Sequence, residues 1–476
     1  MASRHTRRNI IKGLGGAAAL TTLGAGPLRT ALAKTMADDK TWKQVSGTTI
    51  NFISENTPPT TAISKNIESF KELTGINVQI TQLQLGDLVK KVALDFGSGR
   101  SAYDVIYADP WQVLSPYHKA LVDLNTLNGK DGLPAVPKGL DDFIPTQLAG
   151  AGYFGDREKL YTLPYDCPTM IWIYRRDLFD KYHDQMQKDL GFDPTPSDKI
   201  TWEQYYQIAE WFNGDQAKEV KYGTGHQAKQ YDSLMCDFTN VLMAYGGEYF
   251  KNGDKVGLLG SAEPGPCTLD QKPAIEAAKF YQKLLKIADP GSTSWDWTGV
   301  ANAFENGRFA MMPEWHEFAG SLESGPLKGK VGYAPLPTGP KRSANLYGGT
   351  GIAINGNAPD EQKKAAWLFL VWATSPQTQL AGLKAGGGTP TRTSVYDMPE
   401  VKKASHPPTD MPNMLTADTM KVAWDKDHIG LRPKIPVWNQ ADTAIFTELS
   451  KMLAGRQSPE QTMKSAKDKI DSATGA

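Results

Sequence analysis

The chain predicts an α/β protein of two lobes, each a mainly parallel sheet flanked by helices. Its mature length, roughly 440 residues, exceeds what one ordinary hydrophobic core encloses and suits two. Its first mature stretch alternates short apolar strands with amphipathic helices in units of about 30 residues, the pattern of a parallel sheet covered on both faces. Beyond residue 166 helical periodicity takes over, with isolated short strands between the helices.

The first segment reads as an address. Arg4, Arg7 and Arg8 precede a Gly/Ala-rich apolar run over residues 10–28, which ends in the small-x-small site Ala31-Leu32-Ala33. Thr6-Arg7-Arg8-Asn9-Ile10-Ile11-Lys12 follows the twin-arginine export pattern. Residues 1–33 are therefore expected to be a twin-arginine-type signal peptide, cleaved near Ala33, which places the mature chain in the periplasm. The run is too weak for a membrane span, and the residue after Ala33 is Lys34 rather than a lipidated cysteine.

The strands and helices then follow in order. Residues 48–54 form a short apolar strand, and Ile63, Ile67, Phe70 and Leu73 recur at helical spacing before Gly75. Residues 77–81 alternate as a second strand. Leu88, Val92 and Phe96 mark a helix closed by Gly97 and Gly99, and residues 103–107 form a third, buried strand. Ligands on such sheets sit at the carboxyl ends of the strands, which points to Glu55-Asn56, the loop at Gln84, and Asp109-Pro110-Trp111. Further on, Thr201-Trp202-Glu203-Gln204 is a capping box. Pro359 opens a helix that stops before Pro376, and residues 445–470 are helical with a break at Gly455.

Charge and cysteine content exclude several classes of function. Lys+Arg and Asp+Glu both total 52, without a long like-charge run, so a nucleic-acid partner is not expected. The three cysteines allow at most one disulfide, Cys236 with Cys267 being one candidate, and no Cys/His cluster has zinc spacing. Neither metal nor cofactor is expected.

Several segments, in their order and spacing, resemble a known family. They are Leu73-Thr74-Gly75-Ile76-Asn77-Val78; Tyr103-Asp104-Val105-Ile106 with Asp109; Leu163-Pro164-Tyr165-Asp166; and Tyr174-Arg175-Arg176-Asp177. Ala303-Phe304-Glu305-Asn306-Gly307-Arg308 leading to Trp315, and Gly387-Gly388-Thr389-Pro390-Thr391-Arg392, complete the set. Together they resemble the extracellular solute-binding proteins of carbohydrate ABC importers, the maltose-, trehalose- and polyol-binding group. The resemblance implies a type II periplasmic-binding fold, with a ligand cleft between an N-terminal lobe (residues 45–163 and 350–391) and a C-terminal lobe (164–349 and 392–476). Chain crossings are implied near Leu163-Pro164, near Tyr347-Gly348-Gly349 and near Pro390–Arg392. It also implies a monomer that captures a sugar or polyol and hands it to the membrane subunits of an ABC importer.

A neutral sugar presents hydroxyls and apolar C–H faces, so its binder needs flat aromatics beside carboxylates, amides or guanidinium groups. The candidates are Glu55, Asp109, Trp111, Asp166, Trp295, Asp296, Trp297, Trp315, Gly348, Gly349 and Arg392. Trp315 matches the family's stacking tryptophan, and Gly348 and Gly349 are read as backbone donors. Each has a structural alternative. Asp109 suits a cap before Pro110, Asp166 a bond to local backbone, and Trp295 and Trp297 alternate, so that one faces a core. A glycoside hydrolase is the enzymatic rival, but no carboxylate pair stands on a catalytic frame and no G-x-S-x-G or H-E-x-x-H occurs. A non-carbohydrate or anionic solute, contacting Arg392, is the third reading.

Overall fold

The computed structural model describes residues 39–214 and 216–476; the signal segment and its cleavage site lie outside them. Among the described residues the strands are β1 (Thr49–Glu55), β2 (Asn77–Leu83), β3 (Val105–Ala108), β4 (Thr162–Asp166), β5 (Met170–Arg175), β6 (Tyr222–Thr224), β7 (Phe309–Trp315), β8 (Val331–Ala334), β9 (Asn345–Leu346), β10 (Thr350–Ile354) and β11 (Ile429–Gly430). They form two main sheets, ordered β2-β1-β3-β10-β4 and β6-β7-β5-β8, and a small parallel pair, β9 with β11.

The βαβαβ start forms as its sequence dictates. β1 pairs parallel with β2 and β3, with Phe52 opposite Ile80 and Val105. Thr57 caps the helix Pro58–Thr74 and Gly75 stops it at φ 73°, a left-handed conformation that costs glycine little. The helix Asp360–Ala373 covers this sheet. Its Phe369 lies 5.4 Å from both Phe52 and Phe70, and Trp372 lies 5.2 Å from Phe70. Such buried aromatic side chains contribute about 1.5–3 kcal/mol each. Pro376 does not merely halt that helix but begins another, Pro376–Lys384, capped by Ser375.

Each sheet is mainly parallel, as expected, with one strand reversed. β10 is antiparallel to both β3 and β4, and β5 is antiparallel to both β7 and β8, so β6, β7 and β8 share one direction in the second sheet and β5 alone opposes them. The cause is the route of the chain. β1, β3, β4 and β7 end at the cleft, whereas β5 and β10 enter their sheets from it just after a crossing. A strand that starts at the cleft has to oppose neighbours that end there.

Two of the three crossings are displaced from their expected positions. β4 stays paired with β10 through Asp166, so the first passage lies between Asp166 and Met170, not at residues 163/164. The second falls between Leu346 and Thr350, where the glycines stand. Arg392 remains among first-sheet neighbours, and Val395 and Val401 pack with Leu380 and Leu383 of the preceding helix. The chain joins the second sheet only by Met420 and Ala423, which pack with Ile171, Ile173 and Met312. The C-terminal helices Trp438–Leu453 and Pro459–Thr474 close the larger core. All three cysteines are free and buried.

Candidate ligand-binding site

The ends of strands from both sheets enclose a cavity of roughly 680 Å³. Glu55 ends β1 and Asp109 follows β3. Trp315 ends β7, and Gly348 and Thr350 lead into β10; all five line the cavity. Trp297, at the start of the helix Trp297–Glu305, adds a second indole, and its ring lies 5.3 Å from that of Tyr231.

Carboxyl groups dominate the inner wall. Asp109 accepts the Trp111 and Gln112 N–H groups at 2.9 and 2.7 Å, so it is a cap and a cavity residue at once. Burial raises it to about 6, against the pull of Arg432. Glu55 is held well above its usual range by burial, then by Asp109, Asp166 and Asp232. Asp166 is fully buried just behind the wall, where it accepts the Tyr107 hydroxyl at 3.1 Å. Glu317 lines the cavity, and Asp166 is its acidic neighbour. Burial raises both, and Asp166 raises Glu317 further.

One cation stands among these acids. Arg432 lies 3.6 Å from Asp232 and 3.7 Å from the centre of the Trp111 ring. The Trp111 indole N–H donates to the Arg432 carbonyl at 2.9 Å. Trp111 is thus a buried platform behind the wall, not a surface for ligand. Gln112 donates to Asp232 at 3.1 Å and ties the two sides of the wall together.

Five of the predicted residues line the cavity: Glu55, Asp109, Trp297, Trp315 and Gly348. Gly348 does so for a different reason than expected. Its N–H donates to the Pro168 carbonyl at 2.7 Å, and a Cβ there would stand 2.7 Å from the Trp315 ring. Its role is to let the indole lie flat against the crossing. Gly349 likewise makes room, because a Cβ would stand 1.7 Å from the Tyr347 hydroxyl oxygen. Trp295 and Asp296 turn away from the cavity. Trp295 packs on Phe309 with Arg308 over its ring, and Asp296 caps Gly299 and pairs with Lys229.

Arg392 is a clear correction. It is fully buried, stacks 3.6 Å from the centre of the Phe143 ring, and donates to the carbonyls of Thr374, Pro137 and Gly139. No ligand reaches it. Sequence reasoning missed Tyr107, Asp232 and Arg432. Asp232 opens a helix and Arg432 sits between Leu431 and Pro433, so neither follows a strand whose periodicity would reveal it.

Two α/β lobes around an acid- and indole-lined cleft define a periplasmic-type binding protein. The match to the family described as bacterial extracellular solute-binding protein covers residues 54–380, and the chain belongs to that family. It is 26% identical over 440 residues to a probable amino-acid ABC transporter periplasmic-binding protein of Sinorhizobium fredii, with 90% of each chain covered. It is 24% identical over 427 residues to the erythritol/L-threitol-binding protein of Mycolicibacterium smegmatis, with 82% of each covered. Among solved structures, an ABC transporter solute-binding protein of Agrobacterium radiobacter in complex with ribitol superposes with a TM-score of 0.74 at 24% identity, over 89% of this chain and 98% of that one.

Proposed function

We propose that this chain is the exported, monomeric binding component of an ABC importer, which captures a sugar or sugar alcohol by cleft closure and delivers it unchanged to the membrane subunits. In this reading residues 1–33 direct export by the twin-arginine route, and cleavage near Ala33 frees the protein into the periplasm.

The observation that carries the reading is the pairing of Trp297 and Trp315 with the Glu55, Asp109 and Asp232 carboxyls around one cavity. Indole faces suit the C–H faces of a carbon frame, and carboxyls accept paired hydroxyls. The relatives named for erythritol/L-threitol and for ribitol support an alditol or a sugar of similar make. The Sinorhizobium relative is named for amino acids, but an α-carboxylate needs a free cation. Arg432 is instead flanked by Asp232 and stacked on Trp111. Hydrolysis is disfavoured too. The family the chain belongs to is described as solute-binding.

A thermal-shift panel of sugars, alditols and amino acids, with the ligand recovered afterwards, tests this. A ligand at about a thousand times its Kd stabilises by roughly 4 kcal/mol and raises the Tm by a few degrees. The proposal predicts such a shift with a sugar or alditol that is recovered intact. Silence across the panel, or a converted ligand, overturns it.

A further inference from the structure

The cavity has a charge imbalance that hydroxyl groups alone do not address. Glu55, Asp109, Asp232 and Glu317 line it, with Asp166 behind Glu317 and Asp442 beside Asp232. Arg432 is the one basic side chain on the inner wall among the described residues. Two lysines also line it: Lys65 donates to the Ala385 carbonyl at 3.1 Å, and Lys384 pairs with Glu400.

A second observation points to a ligand. Glu317 is 6% exposed, lines the cavity, and its Oε1 has no hydrogen-bond partner. Its polar neighbour is Asp166, whose Oδ1 is also unpartnered. Two buried acids side by side need a shared proton or a cation. A cation would be the stronger partner, because an ammonium brings three donors where a hydroxyl brings one. The indoles add to this, since Trp297 and Trp315 present faces that attract a cation as well as a C–H surface.

Resting on the sugar-or-polyol reading, we infer that the ligand carries a protonated amine on its hydroxylated frame, with the ammonium held by Glu317 and Glu55 and the carbon frame against Trp315 and Trp297. The class is an amino sugar or an aminopolyol. Neutral parents bind by the same frame contacts but leave the Glu317 carboxyl without its ion.

Calorimetric titration with matched pairs tests this: D-glucitol against 1-amino-1-deoxy-D-glucitol, and D-glucose against 2-amino-2-deoxy-D-glucose and its N-acetyl derivative. The inference predicts that an amine binds at least tenfold tighter than its hydroxyl parent, and that N-acetylation, which removes the charge, abolishes the gain. In Glu317→Gln, and independently in Glu55→Gln, the ratio of amine to parent affinity falls toward one. Parents that bind as well as their amines overturn this inference and leave the proposed function standing. If no hydroxylated ligand binds in either form, both fall. An amine preference that persists undiminished in both variants overturns the assignment to Glu317 and Glu55.

Discussion

Two buried arginines, Arg392 and Arg432, are built alike and sit in opposite surroundings. Each lies flat on an aromatic ring, at 3.6 Å from Phe143 and 3.7 Å from Trp111 respectively. Around Arg392 stand backbone carbonyls, with Asp142 at 3.6 Å. Burial lowers it to about 10. Around Arg432 stand Asp232, Asp109 and Asp442. Burial opposes its charge there too, but Cys236 and these acids outweigh burial and hold it above its usual value. Arg392 is closed off from solvent, so the first pocket is structural. Carboxyls that outnumber their guanidinium keep acceptors free for a guest, so the second pocket is a site.

Removing each arginine should separate the two roles, and the largest effect is expected on stability. Arg392→Met leaves three carbonyls and Asp142 without their cation and should cost about 3–5 kcal/mol, read as a large fall in Tm. The folded fraction should bind its ligand with unchanged affinity. Arg432→Met leaves Asp232 without its cation and should lower the Tm comparably, but in addition it should weaken binding by the folded fraction, by about 2–3 kcal/mol in calorimetry. If the effects on binding were exchanged, the comparison would be wrong.

A finer contrast lies within one tripeptide. Trp297→Ala removes a cavity face and should weaken binding by about 1–2 kcal/mol. Trp295→Ala opens a gap beside Phe309 and should lower the Tm while sparing affinity. Equal losses of affinity in the two variants would place the cavity wall elsewhere.

The smallest expected effect concerns pH. Asp109 stands at about 6 in the folded chain against an ordinary value of 3.8. Between those values the folded chain binds a proton that the unfolded chain lacks, so this carboxyl favours folding increasingly as pH falls from 7 toward 4.5. His316 acts in the opposite sense. Burial holds it neutral down to about 3, so its contribution is lost as pH drops below its ordinary 6.5. The difference between wild type and Asp109→Asn isolates the first effect, because asparagine keeps the cap. The wild type should gain about 1–2 °C relative to the variant on going from pH 7 to pH 5. Parallel Tm curves would contradict the raised carboxyl.

Much of the fold was legible because local signals agreed with it. Gly75 and Gly99 end helices where their periodicity stops. Thr201 and Gln204 form both bonds of the capping box. The reversal of β5 and β10 was not legible, because periodicity does not say which end of a strand meets the cleft. The site divided along the same line. Glu55 and Asp109 follow predicted strands and lie where that rule puts them, whereas Trp315 was placed by the resemblance and ends a strand, β7, that the sequence did not announce. Asp232 and Arg432 come from segments brought in by tertiary packing, which leaves no local trace. Arg392 misled because the crossing implied beside it falls later in the chain, which leaves its side chain among first-sheet neighbours.

The account's central claim is that a hydroxylated ligand lies against Trp315 in the cavity between the two sheets. The most direct test is calorimetric titration of the sugar or alditol that raises the Tm, into wild type and Trp315→Ala, with the ligand recovered intact. One-to-one binding that weakens by about 1–3 kcal/mol in the variant is the predicted result. Unchanged affinity in Trp315→Ala would contradict it.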